Sequence, residues 1–339
     1  MQEIVECVPN FSEGRDTQVI SAIAGAISRV PGVKFISAEP NKDYNRTVIT
    51  FVGGPDAVVE AAFAGTGAAA DLIDMSVHAG EHPRLGAADV VPFIPVSGVT
   101  MEDCVALARA FGKRVGEELL LPVYLYEEAA TRPERKNLAA VRKGEYEGLE
   151  ARLRDPEWLP DFGPPRFSAR SGAVIAGARM FLIAYNVNLA TADVKAAGEI
   201  AGRIRESGRI QRDGGGNPVV DASGKKVTIP GTLKAVKALG VFLEGRNIAQ
   251  VSINLVNFHV TPPHVAFEEV TRQAAALGVQ VTGSEIVGLT PREALLMSGA
   301  FYAPGETDHQ ILLAAAIARL GLNDLDPFDP GKKIIEEQL

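Results

Sequence analysis

Over residues 17–30 apolar side chains recur at helical spacing until Pro31-Gly32 stops the run, and the short apolar stretch at 4–8 ahead of it, ending at Pro9, predicts a strand. Residues 33–36 and 46–52 read as two further strands, separated by the polar Pro40-Asn41-Lys42-Asp43-Tyr44-Asn45 and closed by Gly53-Gly54-Pro55. An Ala-rich helix is predicted over 56–74. A loop rich in Gly, His and Pro follows, and then a strand at 90–96 weakened by Pro92 and Pro95. A helix at 100–120, with Glu102 near its start, and a short strand at 123–126 come next.

Residues 131–167 break this rhythm. They are charged and Pro-rich, with Arg132-Pro133-Glu134-Arg135-Lys136, Asp155-Pro156 and Phe162-Gly163-Pro164-Pro165, and they predict an interdomain connection that divides the chain into 1–167 and 168–339. The pattern then returns as a strand at 181–188, a helix at 192–206, strands at 234–242 and 248–256, a helix at 263–277 and a strand at 279–287. Six elements recur in the same order. The reading is therefore an α+β protein, an α/β sandwich of two ferredoxin-like β-α-β-β-α-β subdomains related by internal duplication. An inserted run from Asp213-Gly214-Gly215-Gly216 to Gly224-Lys225-Lys226 carries turn chemistry and predicts an exposed hairpin.

Composition narrows the function classes. The 339 residues are 46% hydrophobic and 22% charged, within the range of folded water-soluble proteins. With 34 Lys and Arg against 42 Asp and Glu, the net charge of −8 lacks the footprint of a nucleic-acid-binding protein. Two cysteines, Cys7 and Cys104, are too few for a disulfide framework or a four-ligand zinc site; both read as core residues, and a reducing cytoplasm is expected. The N-terminus has no secretory pattern, and no run approaches the ~18 apolar residues of a membrane span.

The stretch Asp74-Met75-Ser76-Val77-His78-Ala79-Gly80-Glu81-His82-Pro83-Arg84-Leu85-Gly86-Ala87-Ala88-Asp89 holds two of the five histidines. Gly80 and Pro83 interrupt any helix, so the His-x-x-x-His spacing cannot act as a rigid metalloprotease face, and no metal is expected. His82 reads either as a general base and acid, oriented by Glu81, Arg84 or Asp89, or as a residue hydrogen-bonded structurally in its loop. Asn10, between the first strand and first helix, lies where a ligand can meet backbone N–H groups, although Ser12 there also reads as a helix cap. Asn45 and Arg46 offer an amide and a guanidinium for a planar heterocycle or a carboxylate, or else an ordinary turn and surface ion pair. Gly65-Thr66-Gly67 lies inside a helical pattern, where helix packing explains it better than nucleotide binding.

Val5-Glu6-Cys7-Val8-Pro9-Asn10-Phe11-Ser12-Glu13-Gly14 and Gly80-Glu81-His82-Pro83-Arg84-Leu85-Gly86 closely resemble signatures of the glutamate formimidoyltransferase family. Asn45-Arg46-Thr47, Gly144-Glu145-Tyr146-Glu147, Pro160-Asp161-Phe162-Gly163-Pro164 and Gly283-Ser284-Glu285-Ile286-Val287-Gly288-Leu289 look like it as well. The resemblance runs over nearly the whole chain and implies two ferredoxin-like subdomains. It further implies transfer of a formimino group from N-formimino-L-glutamate to N5 of tetrahydrofolate, a co-substrate, giving 5-formiminotetrahydrofolate and L-glutamate in histidine degradation.

In that family the catalytic histidine matches His82. The folate-binding segment matches Gly163, Pro164, Pro165, Arg166, Phe167, Ser168, Ala169, Arg170, Ser171 and Gly172, among which Pro165, Arg166, Ala169 and Arg170 depart from the family pattern. One histidine can take the proton leaving N5 and return it to the glutamate nitrogen, with no covalent enzyme intermediate. Glu39 or Glu81 could stabilise the amidinium-like nitrogen, and Arg46, Arg84 and Arg166 could hold substrate carboxylates. In animals the domain is fused to a formimidoyltetrahydrofolate cyclodeaminase; this chain stops at Leu339, which leaves that activity to a separate partner. A homodimer is the default expectation. Related formyl transfer from N-formylglutamate or 5-formyltetrahydrofolate, or non-catalytic folate binding, are the competing readings.

Overall fold

The computed structural model describes residues 2–338, which fall into two compact units divided between Met180 and Phe181. In the first unit β1 (Ile4–Cys7) and β2 (Asn10–Phe11) are one strand interrupted at Pro9, which has no N–H for the ladder; both pieces lie between the same two neighbours. Then come α1 (Thr17–Ser28), β3 (Val33–Asn41), β4 (Arg46–Gly53), α2 (Pro55–Leu72) and β5 (Ala88–Ser97). The strand order β3-β4-β1-β5 is the ferredoxin-like arrangement. β3 runs on through Pro40, past the expected end at residue 36. It is an edge strand paired only with β4, where a proline is tolerated.

Asp16, not Ser12, caps α1, accepting from the Gln18 and Val19 amides. Helix packing explains Gly65: a Cβ there would lie 2.8 Å from Ile27 Cγ1, so its absence lets α1 and α2 approach closely. α3 (Met101–Arg114) opens on a Thr100–Asp103 capping box and passes into a π-helical turn, Val115–Leu119, so the predicted single helix to residue 120 changes pitch after Arg114. Val5, Cys7, Phe51, Phe93, Cys104 and Phe111 form the core between helices and sheet. Both cysteine thiols are shifted up by burial, Cys104 to about 12, which makes them poor nucleophiles.

The stretch 131–167 folds onto the first unit. β6 (Val123–Glu127) and β7 (Val174–Ala178) extend the sheet past β5 as a parallel pair, and α4 (Leu138–Val141) and α5 (Glu145–Arg152) lie between them in the chain. Val141, Leu149 and Leu153 pack with Tyr124, Tyr126 and Ile175 as a second small core. Arg135, 1% exposed, pairs with Asp161 at 2.6 Å and donates to the Leu159 carbonyl at 2.7 Å. The unit therefore ends at Met180 rather than Phe167, because β7 pairs with both β5 and β6.

The second unit repeats the six elements as β8 (Ile183–Leu189), α6 (Val194–Ile204), β11 (Val236–Leu243), β12 (Ile248–Leu255), α7 (Pro263–Ala275) and β13 (Val281–Val287), in the order β11-β12-β8-β13. Between α6 and β11 stand the short strands β9 (Arg209–Ile210) and β10 (Thr228–Ile229), which pair as the base of the exposed excursion. Two helices beyond the predicted elements, α8 (Arg292–Tyr302) and α9 (His309–Arg319), pack on each other, with Gly299 against the Leu312 backbone. Among the described residues no helix is long and apolar enough to cross a membrane.

Candidate active site

The loop joining α2 to β5 carries both His78 and His82 and is fastened at each end. At its start, His78 Nε2 lies 3.0 Å from the Asn45 carbonyl oxygen, and Asn45 Nδ2 donates to the Ala79 oxygen at 3.0 Å. Asn45 Oδ1 also accepts from the Gly14 amide at 3.0 Å, so one amide side chain joins three segments. Its φ of 46° is left-handed, a conformation Asn tolerates better than most residues. A Cβ on Gly80 would sit 2.7 Å from Asn45 Cβ and closer still to the Tyr44 oxygen, so only glycine fits there. At the loop's far end, Asp89 Oδ1 accepts from the Leu85 amide at 2.8 Å and Ser12 Oγ donates to the Gly86 oxygen at 2.8 Å.

Arg84 is buried, 5% exposed, and its guanidinium forks onto Glu147, with Nη1 at 2.9 Å and Nη2 at 2.7 Å. Nη1 also reaches Glu145 at 3.1 Å, and Nε donates to His78 Nδ1 at 3.3 Å. Because His78 Nδ1 accepts, Nε2 carries the hydrogen that points at Asn45. A cleft of about 420 Å³ lies beside this clamp, lined by His78, Ala79, Gly80, Arg84, Gly144, Glu145 and Glu147. Arg84 thus braces the loop, and its fork is already filled by two carboxylates.

His82 is half-buried, and no hydrogen bond reaches its ring among the described residues; the Tyr44 ring centroid is 6.2 Å away. Burial first, then the charges of Arg142, Arg46, Arg84 and His78, push its pKa down to about 4. The imidazole is neutral at pH 7, with a lone pair free to take a proton. Neither Asp89 nor Arg84 orients it: Asp89, fully buried, pairs with Arg142 at the end of α4, while Arg84 bonds His78 instead.

Arg46, at the start of β4, has no side-chain hydrogen bond or ion pair among the described residues, and its Nε is buried without a partner. Burial, followed by the Arg142 charge, lowers its pKa. The charges of three guanidiniums therefore act on a neutral imidazole, and one of the three, Arg46, has no ion-pair partner among the described residues. Such a group can attract a carboxylate and move a proton beside it. No set of three or more His, Cys, Asp or Glu able to hold a metal ion occurs among the described residues.

The other expected residues are distributed around this centre. Segment 163–172 joins the loop at its C-terminal end: Gly172 bridges Gly86, Ala87 N donates to Ser171 O at 2.9 Å, and Ala173 N donates to Leu85 O at 3.2 Å. Gly172 has φ 66°, and a Cβ there would lie 2.7 Å from Gly86 Cα. Arg170 donates to the Asp71 oxygen at 2.7 Å, and the Phe167 ring meets Tyr146 at 5.4 Å. The start of the segment lies elsewhere, Gly163 packing on Leu121 and Gly116. Asn10 sits in the ladder opposite Val48 and Val90. Glu39 is exposed on β3, beside Ser37 at 3.2 Å, and its charge acts on Arg46. Exposed Glu81 is held by its main chain, donating to the Asp43 oxygen at 3.3 Å.

Residues 4–179 match the family described as "Formiminotransferase domain, N-terminal subdomain", and residues 184–339 match "Formiminotransferase domain". The chain is 50% identical to a mouse protein named formimidoyltransferase-cyclodeaminase over 99% of this chain and 60% of that relative. It therefore spans 60% of the length of such fused relatives. Proteins named glutamate formimidoyltransferase from Thermoplasma acidophilum and Streptococcus pyogenes are 48% and 41% identical, covering 88% and 89% of this chain and 92% and 94% of theirs. With both halves matched and in order, the chain belongs to the formiminotransferase family.

Proposed function

We propose that this protein is a glutamate formimidoyltransferase, moving the formimino group of N-formimino-L-glutamate to N5 of tetrahydrofolate with His82 as proton carrier. The observation that carries the reading is a neutral His82 acted on by the charges of Arg142, Arg46 and Arg84, of which Arg46 has no ion-pair partner among the described residues. Both substrates are carboxylates, and a partly desolvated cationic site favours their approach. Two relatives bearing the name of this activity over most of the chain add support.

N5 of the folate attacks the formimino carbon, a tetrahedral adduct forms, and the bond from that carbon to the glutamate nitrogen breaks. His82 removes the N5 proton and returns it to the departing nitrogen, so the enzyme ends the cycle unchanged. Holding two substrates together supplies much of the acceleration. Segment 168–172, stitched to the His82 loop by main-chain bonds, is the part of the folate segment suited to present the co-substrate. Arg166 is exposed and suits the folate's glutamate tail. The name of the mouse relative supports a cyclodeaminase as consumer of the product. A cytoplasmic homodimer completes the proposal.

The test is steady-state turnover of tetrahydrofolate with N-formimino-L-glutamate, beside N-formyl-L-glutamate, for wild type and His82→Ala. Formimino transfer that collapses in the variant while folate still binds supports the assignment; turnover with the formyl donor alone, or with neither, overturns it.

A further inference from the structure

The two fastenings of the His82 loop each bring an arginine. Asn45, which holds the start of the loop, is followed directly by Arg46; Asp89, which holds its end through the Leu85 amide, is paired with Arg142. Arg142 follows directly on α4, in the stretch that resembles a linker in sequence, and it reaches Asp89 and acts on His82 because that stretch folds back on the sheet.

Carboxylate partners separate these two arginines from Arg84 and Arg135, whereas Arg135 Nε, like theirs, is buried without a hydrogen-bond partner. Arg84 meets two carboxylates, and Arg135 has Asp161 and a carbonyl. Arg46 and Arg142 share one carboxylate between them: Asp89 bonds Arg142 through Nη2, Arg46 has none, and the Nε of both is buried without a partner. Both arginines are half-buried, and a half-buried cation with no ion pair of its own, as at Arg46, is stabilised by an anion arriving from outside the chain. Asp89, and after it exposed Tyr44 and Glu39, act on Arg46 through charge without bonding it.

We propose that Arg46 and Arg142 form a two-guanidinium receptor for a carboxylate of the amino-acid donor, and that this receptor, not Arg84, selects the donor. The proposal rests on the formimino-transfer reading for the donor's identity, though a carboxylate receptor is defined without it. Arrival of the carboxylate also changes His82. The groups acting on that imidazole are Arg142, Arg46, Arg84 and His78, all of which depress its proton affinity when charged. A bound carboxylate offsets the first two and returns His82 towards the range in which it can both accept and release a proton at neutral pH. An empty site holds a poor base; a filled one holds a good one.

The experiment uses glutarate, a dicarboxylate with no transferable group, titrated calorimetrically into the whole protein at pH 6 in two buffers of different ionisation enthalpy. Wild type should bind with uptake of protons, and His82→Ala should bind with similar affinity but no uptake. Arg46→Met should weaken glutarate by about 30-fold or more, the scale of removing one partner of a desolvated charge pair, and should raise KM for N-formimino-L-glutamate in step. Arg142→Met should act likewise. Should its loss from Asp89 unfold the protein, Arg46→Met, which breaks no internal pair, decides alone. Tetrahydrofolate affinity should stay within two-fold in Arg46→Met. Unchanged glutarate binding in Arg46→Met, or a loss confined to tetrahydrofolate, overturns the proposal. If wild type binds glutarate and the variants do not, yet no formimino transfer is found with any of them, the receptor stands and the assigned reaction falls.

Discussion

The two units share a topology and differ in how their polar groups are completed. Each has four strands in the same order with helices against the sheet. In the second unit, the polar side chains on β8, β12 and β13 satisfy one another: Gln250 Nε2 donates to Asn188 at 2.7 Å and to Glu285 at 2.9 Å, and Asn186 donates to Glu285 at 3.0 Å. In the first unit, the loop at the start of β5 gathers Arg46, Arg84, Arg142, His78 and His82 around the single buried carboxylate of Asp89, with Glu145 and Glu147 confined to Arg84. One sheet carries a closed network and the other an open one. A fold is therefore silent about where chemistry occurs, and unmet hydrogen-bonding and charge demand is what marks the place.

The largest test of that contrast is His82→Ala, expected to lower kcat by about 10²–10⁴-fold, the usual contribution of a general acid-base, with folate affinity retained. In wild type, kcat/KM should fall on the acid side only as pH drops through about 4, where the free imidazole protonates, rather than near its ordinary 6.5. Arg84→Met comes next. It strips Glu145 and Glu147 of their cation and His78 of its donor, so denaturant melts should show a loss of roughly 1–3 kcal/mol, with a smaller drop in kcat than at His82.

Gln250→Ala probes the closed network. It should cost about 1–3 kcal/mol of stability by leaving the Asn188 oxygen without its donor and Glu285 with Asn186 alone, while kcat/KM stays within about two-fold of wild type. A loss of turnover approaching that of His82→Ala would break the comparison. The smallest effect concerns Glu6, buried on β1, whose pKa burial raises to about 7 despite the Arg179 charge. The folded protein then holds a proton on Glu6 that the unfolded chain releases near 4.5, so this contribution is complete below pH 4.5 and is lost as pH rises through 7. Thermal melts of Glu6→Gln from pH 5 to 8 should decline less steeply than wild type.

Strand and helix periodicity made both β-α-β-β-α-β units legible, because each element has one buried face and clear Gly or Pro punctuation. The stretch 131–167 was not legible as structure. Its helices are short and crowded with charge, and their burial depends on Tyr124, Tyr126 and Ile175, residues far away in sequence. The same distance hid Arg142, whose partner Asp89 lies 53 positions away, and the two carboxylates on Arg84, which lie 61 and 63 positions on. A guanidinium is visible in a sequence; whether it is already occupied is not. Gly80 and Pro83 mark a non-helical loop with two histidines, which left His82 open between acid-base chemistry and a structural role; the family resemblance alone matched it to a catalytic histidine.

Much of what positions His82 is main chain: the Asn45, Ala79 and Gly86 carbonyls, the Leu85 and Ala87 amides and the Gly172 bridge. Frames held this way tolerate change in the side chains they carry. Val77, Ala79, Glu81 and Pro83 are all exposed, so their identities can drift or be exchanged by directed evolution without moving the imidazole. The loop is in that sense an evolvable mount, whose exposed side chains can change at four positions while the imidazole it carries stays in register.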